Sequence, residues 1–282
     1  MTDSDGWFAE LSRGDETAAT AAVREGSAEE PREWPRLAVE AGFADDADDY
    51  YDAVHEATTA ATREAVRERE RADDRQLVHA VRAMDDCRRT ANELAERLAE
   101  WAGTVDDEAE PGLEYARELA AREPEPDETR LVSLASRVAS LADEADELRE
   151  FVERKTPSIA PNLAALAGSP LAARLISLAG GLEELAKQPS GTIQVLGAED
   201  ALFAHLRGHA PSPKHGIIYT HEAVRGTRPE DRGSAARALA GKLAIAARID
   251  HYSGDYRPEL EAELAERIET IQARADDEDD DE

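Results

Sequence analysis

Two apolar stripes at helical spacing limit what this 282-residue chain can fold into. Leu77, Val81, Met84, Cys87, Ala91, Leu94, Leu98 and Trp101 recur at intervals of three or four, and so do Leu131, Leu134, Val138, Leu141, Ala145, Leu148 and Val152. That period places each set on one side of an α-helix. Between them lie a loop rich in acids, Gly and Pro (Gly103 to Pro111), a short amphipathic piece (Leu113 to Ala121) and the breaker Glu-Pro-Glu-Pro-Asp-Glu. The pattern predicts a long antiparallel helical hairpin. If its first helix runs unbroken from Glu64 to Trp101, it reaches about 57 Å at the helical rise per residue. Two helices of that length cannot cover both stripes by themselves. Leu77, Val81, Met84, Leu94, Leu98, Leu134, Val138 and Leu141 are therefore expected to pair with a second copy as a homodimer, the alternative being a bundle closed within one chain. Cys87, the one cysteine, lies on the stripe and reads as a packed thiol.

Four segments follow from this. Residues 1–60 carry scattered aromatics (Trp7, Phe8, Trp34, Phe43, Tyr50, Tyr51) that suit either a small core or a docking face for a partner. Residues 61–155 hold the hairpin with its connector. Over 156–257 the texture changes to short helices punctuated by Gly and Pro, predicting a compact all-α domain. Residues 258–282 read as an amphipathic helix (Leu260, Leu264, Ile268, Ile271) running into an acidic tail, Asp276 to Glu282, expected to be disordered. The fold class is all-α. No run of about 18 apolar residues and no basic leader occur, so a soluble, cytoplasmic protein without membrane contact is expected.

The formal charge of -30 hides a division. From Thr156 to Arg257, eleven Lys and Arg face nine Asp and Glu, while the rest of the chain has 22 against 54. Only four lysines occur, and acids crowd the remaining surface, a composition that suits a cytoplasm of very high salt. One segment has escaped this acidification. Lys214 and His215 occupy a loop, Arg225, Arg228 and Arg232 follow in another, and Arg237, Lys242 and Arg248 recur along an Ala- and Leu-rich stretch. Together they predict a basic surface suited to a folded RNA backbone. Signs of catalysis are scarce: there is no P-loop, GxGxxG or GxSxG, and the His205, His209 pair lacks the glutamate of a zinc-protease motif. No cofactor or metal is expected.

The stretches APNLAALAG, ARLISLAGGLEELAKQPSGTIQVLGAEDALF, PSPKHGIIY and RGSAARALAGKLAIAARID, in that order from Ile159 to Asp250, closely resemble the Nop domain. That domain defines core scaffold proteins of archaeal and eukaryotic box C/D small ribonucleoproteins. DDRQLVHAVRAMDDCRRTANELAERLAEWAG also resembles the family's first coiled-coil helix. The resemblance implies a non-catalytic scaffold. It would bind a box C/D guide RNA whose kink-turn is held by a small kink-turn-binding protein of the ribosomal type, pair through its coiled coil, and hold the methyltransferase fibrillarin for 2'-O-methylation of ribosomal or transfer RNA. The family's GAEK signature matches Gly197, Ala198, Glu199 and Asp200, with aspartate for lysine. Its TPKYG-like loop matches Ser212 to Gly216, with His215 for tyrosine, and its KGRISR-like helix start matches Arg232 to Arg237 with one internal basic residue lost.

By this carry-over Arg237, Lys214 and Arg232, with His215, Lys242 and Arg228, are expected at the RNA, and Gln194, Gly197, Ala198, Glu199 and Asp200 at the RNA-bound partner. The sequence departs from the family in its short N-terminal region and in TVDDE, which follows Gly103 where an HFPEL-like segment is usual. These departures suit a second class of reading, a structural coiled-coil adaptor with a vestigial Nop domain and weak RNA binding.

Overall fold

The structure, a computed structural model, describes residues 6–27, 30 and 32–279. It contains helices and no strand among those residues. The chain forms two compact units, Met1–Ala72 and Asp73–Glu282.

In the first unit, α1 (Glu16–Glu25), α2 (Trp34–Glu40) and α3 (Ala47–Arg71) enclose a small aromatic core. Phe8 stacks on Phe43 with ring centroids 5.5 Å apart, Trp7 meets Phe43 edge-on at 5.3 Å, and the Trp7 indole donates to the Tyr50 hydroxyl at 3.3 Å. These aromatics thus form the core, while Tyr51 stays exposed. Asp15 and Asp46 cap α1 and α3 by accepting from Ala18 N and Asp49 N, satisfying donors that each helix start leaves open. Because α3 runs on to Arg71, this unit extends past the expected boundary at residue 60.

The helix expected from Glu64 to Trp101 is two helices. Ala72 is extended (φ -59, ψ 143), and α4 (Asp73–Ala102) starts afresh with Asp73 and Asp74 in its first turn, where carboxylates favour the positive end of the helix dipole. After α4 the chain forms α5 (Leu113–Ala120) and α6 (Thr129–Ile159), which returns along α4 as the predicted hairpin. The seam is narrower than the leucine stripes suggest. Ala91, Ala95, Leu98 and Ala102 face Leu131, Val132, Ala135, Val138 and Ala142, so small side chains let the two backbones approach closely. α5 covers its far end with Tyr115, Ala116 and Leu119.

At its near end the hairpin is built into the second unit. Leu77, Val78, Val81 and Val152 belong to the same core as the helices that follow: α7 (Pro161–Ala167), α8 (Ser169–Ala179), α9 (Leu182–Lys187), α10 (Ser190–Val195), α11 (Glu199–Leu206), a 3-10 turn (Ile217–Thr220), α12 (Glu222–Arg225), α13 (Arg232–Tyr252) and α14 (Glu259–Asp279). Polar contacts fasten the joint. Asp85 takes a bidentate bond from Arg174 (3.0 and 2.5 Å), Asp74 accepts from Leu182 N at 3.0 Å, and Arg75 donates to the Gly180 carbonyl. The expected pairing surface is corrected accordingly. Leu77, Val81, Leu98 and Val138 are buried inside the chain's own core and cannot meet a second copy, whereas Met84, Leu94, Leu134 and Leu141 are half-buried. No single helix among the described residues is long and apolar enough to cross a membrane.

Around α13 the domain closes on itself. Asp250, near its end, accepts from Asn162 N (3.0 Å), Asn162 Nδ2 (2.6 Å) and Leu163 N (2.9 Å) at the start of α7. Asn162 also donates to the Asp255 carbonyl and accepts from Arg257 N. Burial pushes the Asp250 carboxyl up from the usual carboxylate range, against the three hydrogen bonds that pull it down. The last helix, α14, lays Leu260, Leu264, Ile268 and Ile271 over the core, and its helical backbone continues to Asp279 where disorder was expected from Asp276. The remainder of that expectation, residues 280–282, lies outside the described residues. Asp250→Ala leaves buried donors unsatisfied and should lower stability by about 3 kcal/mol, read as a lower chemical-denaturation midpoint with unchanged slope.

Candidate nucleic-acid interface

Two segments widely separated in sequence are welded to make the site. Gly216 N donates to the Gln194 carbonyl and Ile217 N to the Leu196 carbonyl, both at 2.8 Å. The Gln194 side-chain amide donates back to the Lys214 carbonyl at 2.7 Å. The crossing is so close that a Cβ on Gly216 would overlap the Leu196 carbonyl oxygen. At Gly197, φ is +82, and a Cβ there would lie 3.2 Å from Ile217 Cβ and 3.4 Å from Leu178 Cδ1. Both glycines are therefore required by the backbone. Gly216→Ala should separate the two segments and cost about 3 kcal/mol or more, measurable by thermal unfolding.

The weld presents a set of side chains that the sequence scatters over residues 214 to 237. His215 stacks on Tyr219 (centroids 4.7 Å apart, planes at 22°), and the Arg232 guanidinium lies over the same ring at 5.4 Å. Arg232 is oriented by a bond from Nε to the Thr227 carbonyl at 3.1 Å. The stem of Lys214 passes Gly233, where a Cβ would touch its Cδ at 3.8 Å. Arg237 is exposed one turn further along α13. His215 and Arg232 thus share Tyr219 as a platform, with the Lys214 stem beside Gly233 and Arg237 exposed further along the same helix. Tyr219 was overlooked in the sequence; its position four residues after His215 in an apolar run is the signal that could have revealed it.

The other expected RNA contacts sit elsewhere. Lys242 is paired with Glu263 of α14, so its charge is already neutralised within the chain. Arg228 is half-buried in the loop before α13. Arg225 pairs with Glu222 at 2.7 Å, and Arg248 donates to the carbonyls of Ala186 and Gln188, a packing role at the end of α9. His205 bonds the Ala210 carbonyl at 3.0 Å, and no group of His, Cys, Asp and Glu among the described residues could hold a metal ion.

The acids at the start of α11 differ in their work. Glu199 turns back and accepts from Gly197 N at 2.8 Å, closing the turn between α10 and α11, while Asp200 is exposed. Of the expected partner-facing residues, Gln194 and Gly197 hold the weld and Ala198 is half-buried. What α11 offers outward is apolar. It has no buried residue, and Phe203 and Leu206 are 59% and 70% exposed. Those two side chains, to which the sequence motifs give no role, belong to a surface.

These observations assemble a compact helical domain on a long helical hairpin, the arrangement implied by the motifs. The model of the Nop family, described as "snoRNA binding domain, fibrillarin", matches residues 44–271. The chain belongs to the Nop family. An uncharacterised NOP5 family protein of Methanocaldococcus jannaschii is 36% identical over 278 residues, covering 85% of this chain and 67% of the relative. Nucleolar protein 58 of Schizosaccharomyces pombe is 34% identical over 218 residues, covering 64% of this chain and 43% of the yeast protein. A crystal structure of a fibrillarin/Nop5p complex superposes with a TM-score of 0.55 at 27% identity, covering 93% of both chains. The chain therefore spans less than half of its eukaryotic relative.

Within this Nop domain, burial and the neighbouring charges of Arg232 and Lys214 hold the His215 imidazole below its ordinary range. A histidine depressed in the folded state is protonated more readily when unfolded. Its contribution to stability is therefore full above about pH 6.5 and is lost as pH falls towards the folded value. Urea midpoints should decline below about pH 6.5 in the native chain and less steeply in His215→Phe, which keeps the stack on Tyr219.

Proposed function

We propose that this protein is a non-catalytic scaffold of a box C/D-type small ribonucleoprotein. The face of Lys214, His215, Arg232 and Arg237 binds the backbone of a guide RNA at its kink-turn, in company with a kink-turn-binding protein of the ribosomal type that seats against α11. The fibrillarin methyltransferase that acts on ribosomal or transfer RNA docks on the first unit, and a second copy pairs along the half-buried Met84, Leu94, Leu134 and Leu141 face of the hairpin. One observation carries the reading: in a chain of charge -30, Lys214, His215 and Arg232, from separate segments, meet around Tyr219 and Gly233. Family membership and the likeness to a fibrillarin-bound relative support it.

The weaker-binding adaptor has support of its own in the exposed Asp200 and in Lys242, which Glu263 already neutralises. The two readings separate in one titration. A kink-turn RNA with its cognate protein should form a ternary complex with this chain in molar KCl. Arg237→Ala should weaken it and flatten the slope of log K against log salt by about 0.7 to 0.9 per lost phosphate contact. A dimer that forms no ternary complex at any salt concentration would rule out the scaffold and leave the adaptor.

A further inference from the structure

The outward stripe of α13 lies in a part of the chain without carboxylates. Asp and Glu make up 63 of the 282 residues, yet none occurs among the eleven residues Gln188 to Ala198 or the eighteen residues Arg232 to Ile249. The first run contains α10 and the second most of α13, and these two helices pack against each other. At about 100° of rotation per residue, Ser234, Arg237, Gly241, Ile245, Arg248 and Tyr252 fall in one narrow sector of α13. Five of them are exposed, and Gly241 in their midst has open space above it, since a Cβ there would meet nothing within 4 Å. Neither arginine is neutralised among the described residues: Arg248 donates to the carbonyls of Ala186 and Gln188, and Arg237 has no carboxylate partner. The stripe begins at the basic face, where the Lys214 stem passes Gly233 one turn before Arg237. It ends at Tyr252, beyond which the acids resume at Asp255 and Glu259. From Arg237 to Tyr252 it runs about 22 Å at the helical rise.

We propose that this stripe makes a second RNA contact, to an A-form stem that continues from the kink-turn held at the basic face. The inference rests on the reading of that face as an RNA site. Charge selects the class of ligand: a polyanion is repelled by the acidic remainder of the surface and meets no like charge along the stripe. Shape selects a duplex over an unpaired strand. Unpaired bases are taken up by stacking on successive aromatic side chains, and this straight ridge has one aromatic ring, at its end. Small residues at Ser234 and Gly241 let the helix lie close to the wide, shallow minor groove of A-form RNA, where 2'-hydroxyls and phosphates are the accessible groups. Arg237 and Arg248 stand about 16 Å apart along the axis and clamp two separate phosphates, with the Tyr252 hydroxyl donating at the far end.

Two RNAs separate this contact from the first, each presented with the cognate kink-turn protein: one whose stem is long enough to reach Tyr252 and one whose stem stops short of Gly241. In 0.2 M KCl the native chain should bind the longer RNA about tenfold more tightly, and its slope of log K against log salt should be steeper by about 0.9 for each added phosphate contact. Gly241→Glu sets one carboxylate in the open middle of the stripe, away from the core. It should abolish the gain from the longer stem, leave the shorter RNA bound as before and keep the thermal midpoint. Arg248→Gln should weaken the longer RNA alone, by about fivefold, whereas Lys214→Ala should weaken both. Equal affinity of the native chain for the two RNAs overturns the second contact, and so does a Gly241→Glu chain that keeps the gain or loses affinity equally for both; loss of both RNAs in Lys214→Ala then still upholds the basic face. If the native chain binds neither RNA, the basic face fails as an RNA site and the second contact falls with it.

Discussion

α13 is the constraint on which the second unit depends. It is buried around most of its circumference: Ala235, Ala236, Leu239, Ala240, Leu243, Ala244, Ala246 and Ala247 are all inaccessible, and α7, α9, α10, α12 and α14 pack against it. A helix surrounded in this way cannot carry large side chains on every side. Alanine at most buried positions lets neighbours approach, and the few leucines fill the larger gaps. What remains accessible is a narrow stripe through Arg237, Ile245 and Arg248 and the two ends. Arg232 to Arg237 at the start face the site, and Asp250 at the finish clamps the first turn of α7. Position in the core thus decides position in the site, because the helix that carries the arginines has no freedom to turn.

Much of this was legible beforehand, for reasons that differ from residue to residue. The hairpin followed from apolar periodicity, which survives any detail of packing. The glycines of the weld lay within recognisable motifs, although only the backbone crossing of Gly216 past Leu196 explains why glycine is needed there. The seam was misread because large aliphatics draw the eye: Ala91, Ala95 and Ala102 make the contact and Leu94 lies to one side. The pairing of Lys242 was not legible, because its partner, Glu263, belongs to another helix and shares no sequence spacing with it. Phe203 and Leu206 carried no signal of their exposure, because hydrophobicity alone does not distinguish a residue packed in its own chain from one left on the surface.

The charge division also gains a physical sense. The first unit joins its helices by exposed pairs such as Arg13 with Asp49 and Arg24 with Glu68. Surface pairs of this kind contribute little each and fade with salt. The second unit has such pairs too, Arg174 with Asp85 among them, but adds extensive apolar burial, backbone-to-backbone bonds at the weld and the enclosed Asn162–Asp250 cluster. The solvated carboxylates of the surface therefore surround an architecture that relies largely on contacts ions do not reach.

The fusion of the hairpin base into the second core has a mechanical meaning. Since Leu77, Val81 and Val152 are packed with the domain helices and Arg174 grips Asp85, α4 cannot pivot without disturbing the core. α4 has 30 residues and so reaches about 45 Å. A tilt of about 10° at its root would swing the far end by roughly 8 Å, given that helical rise. The hairpin is in effect a stiff pointer whose bearing is set where its base joins the core of the second unit. A small repacking at that root would redirect whatever is attached at the distant tip.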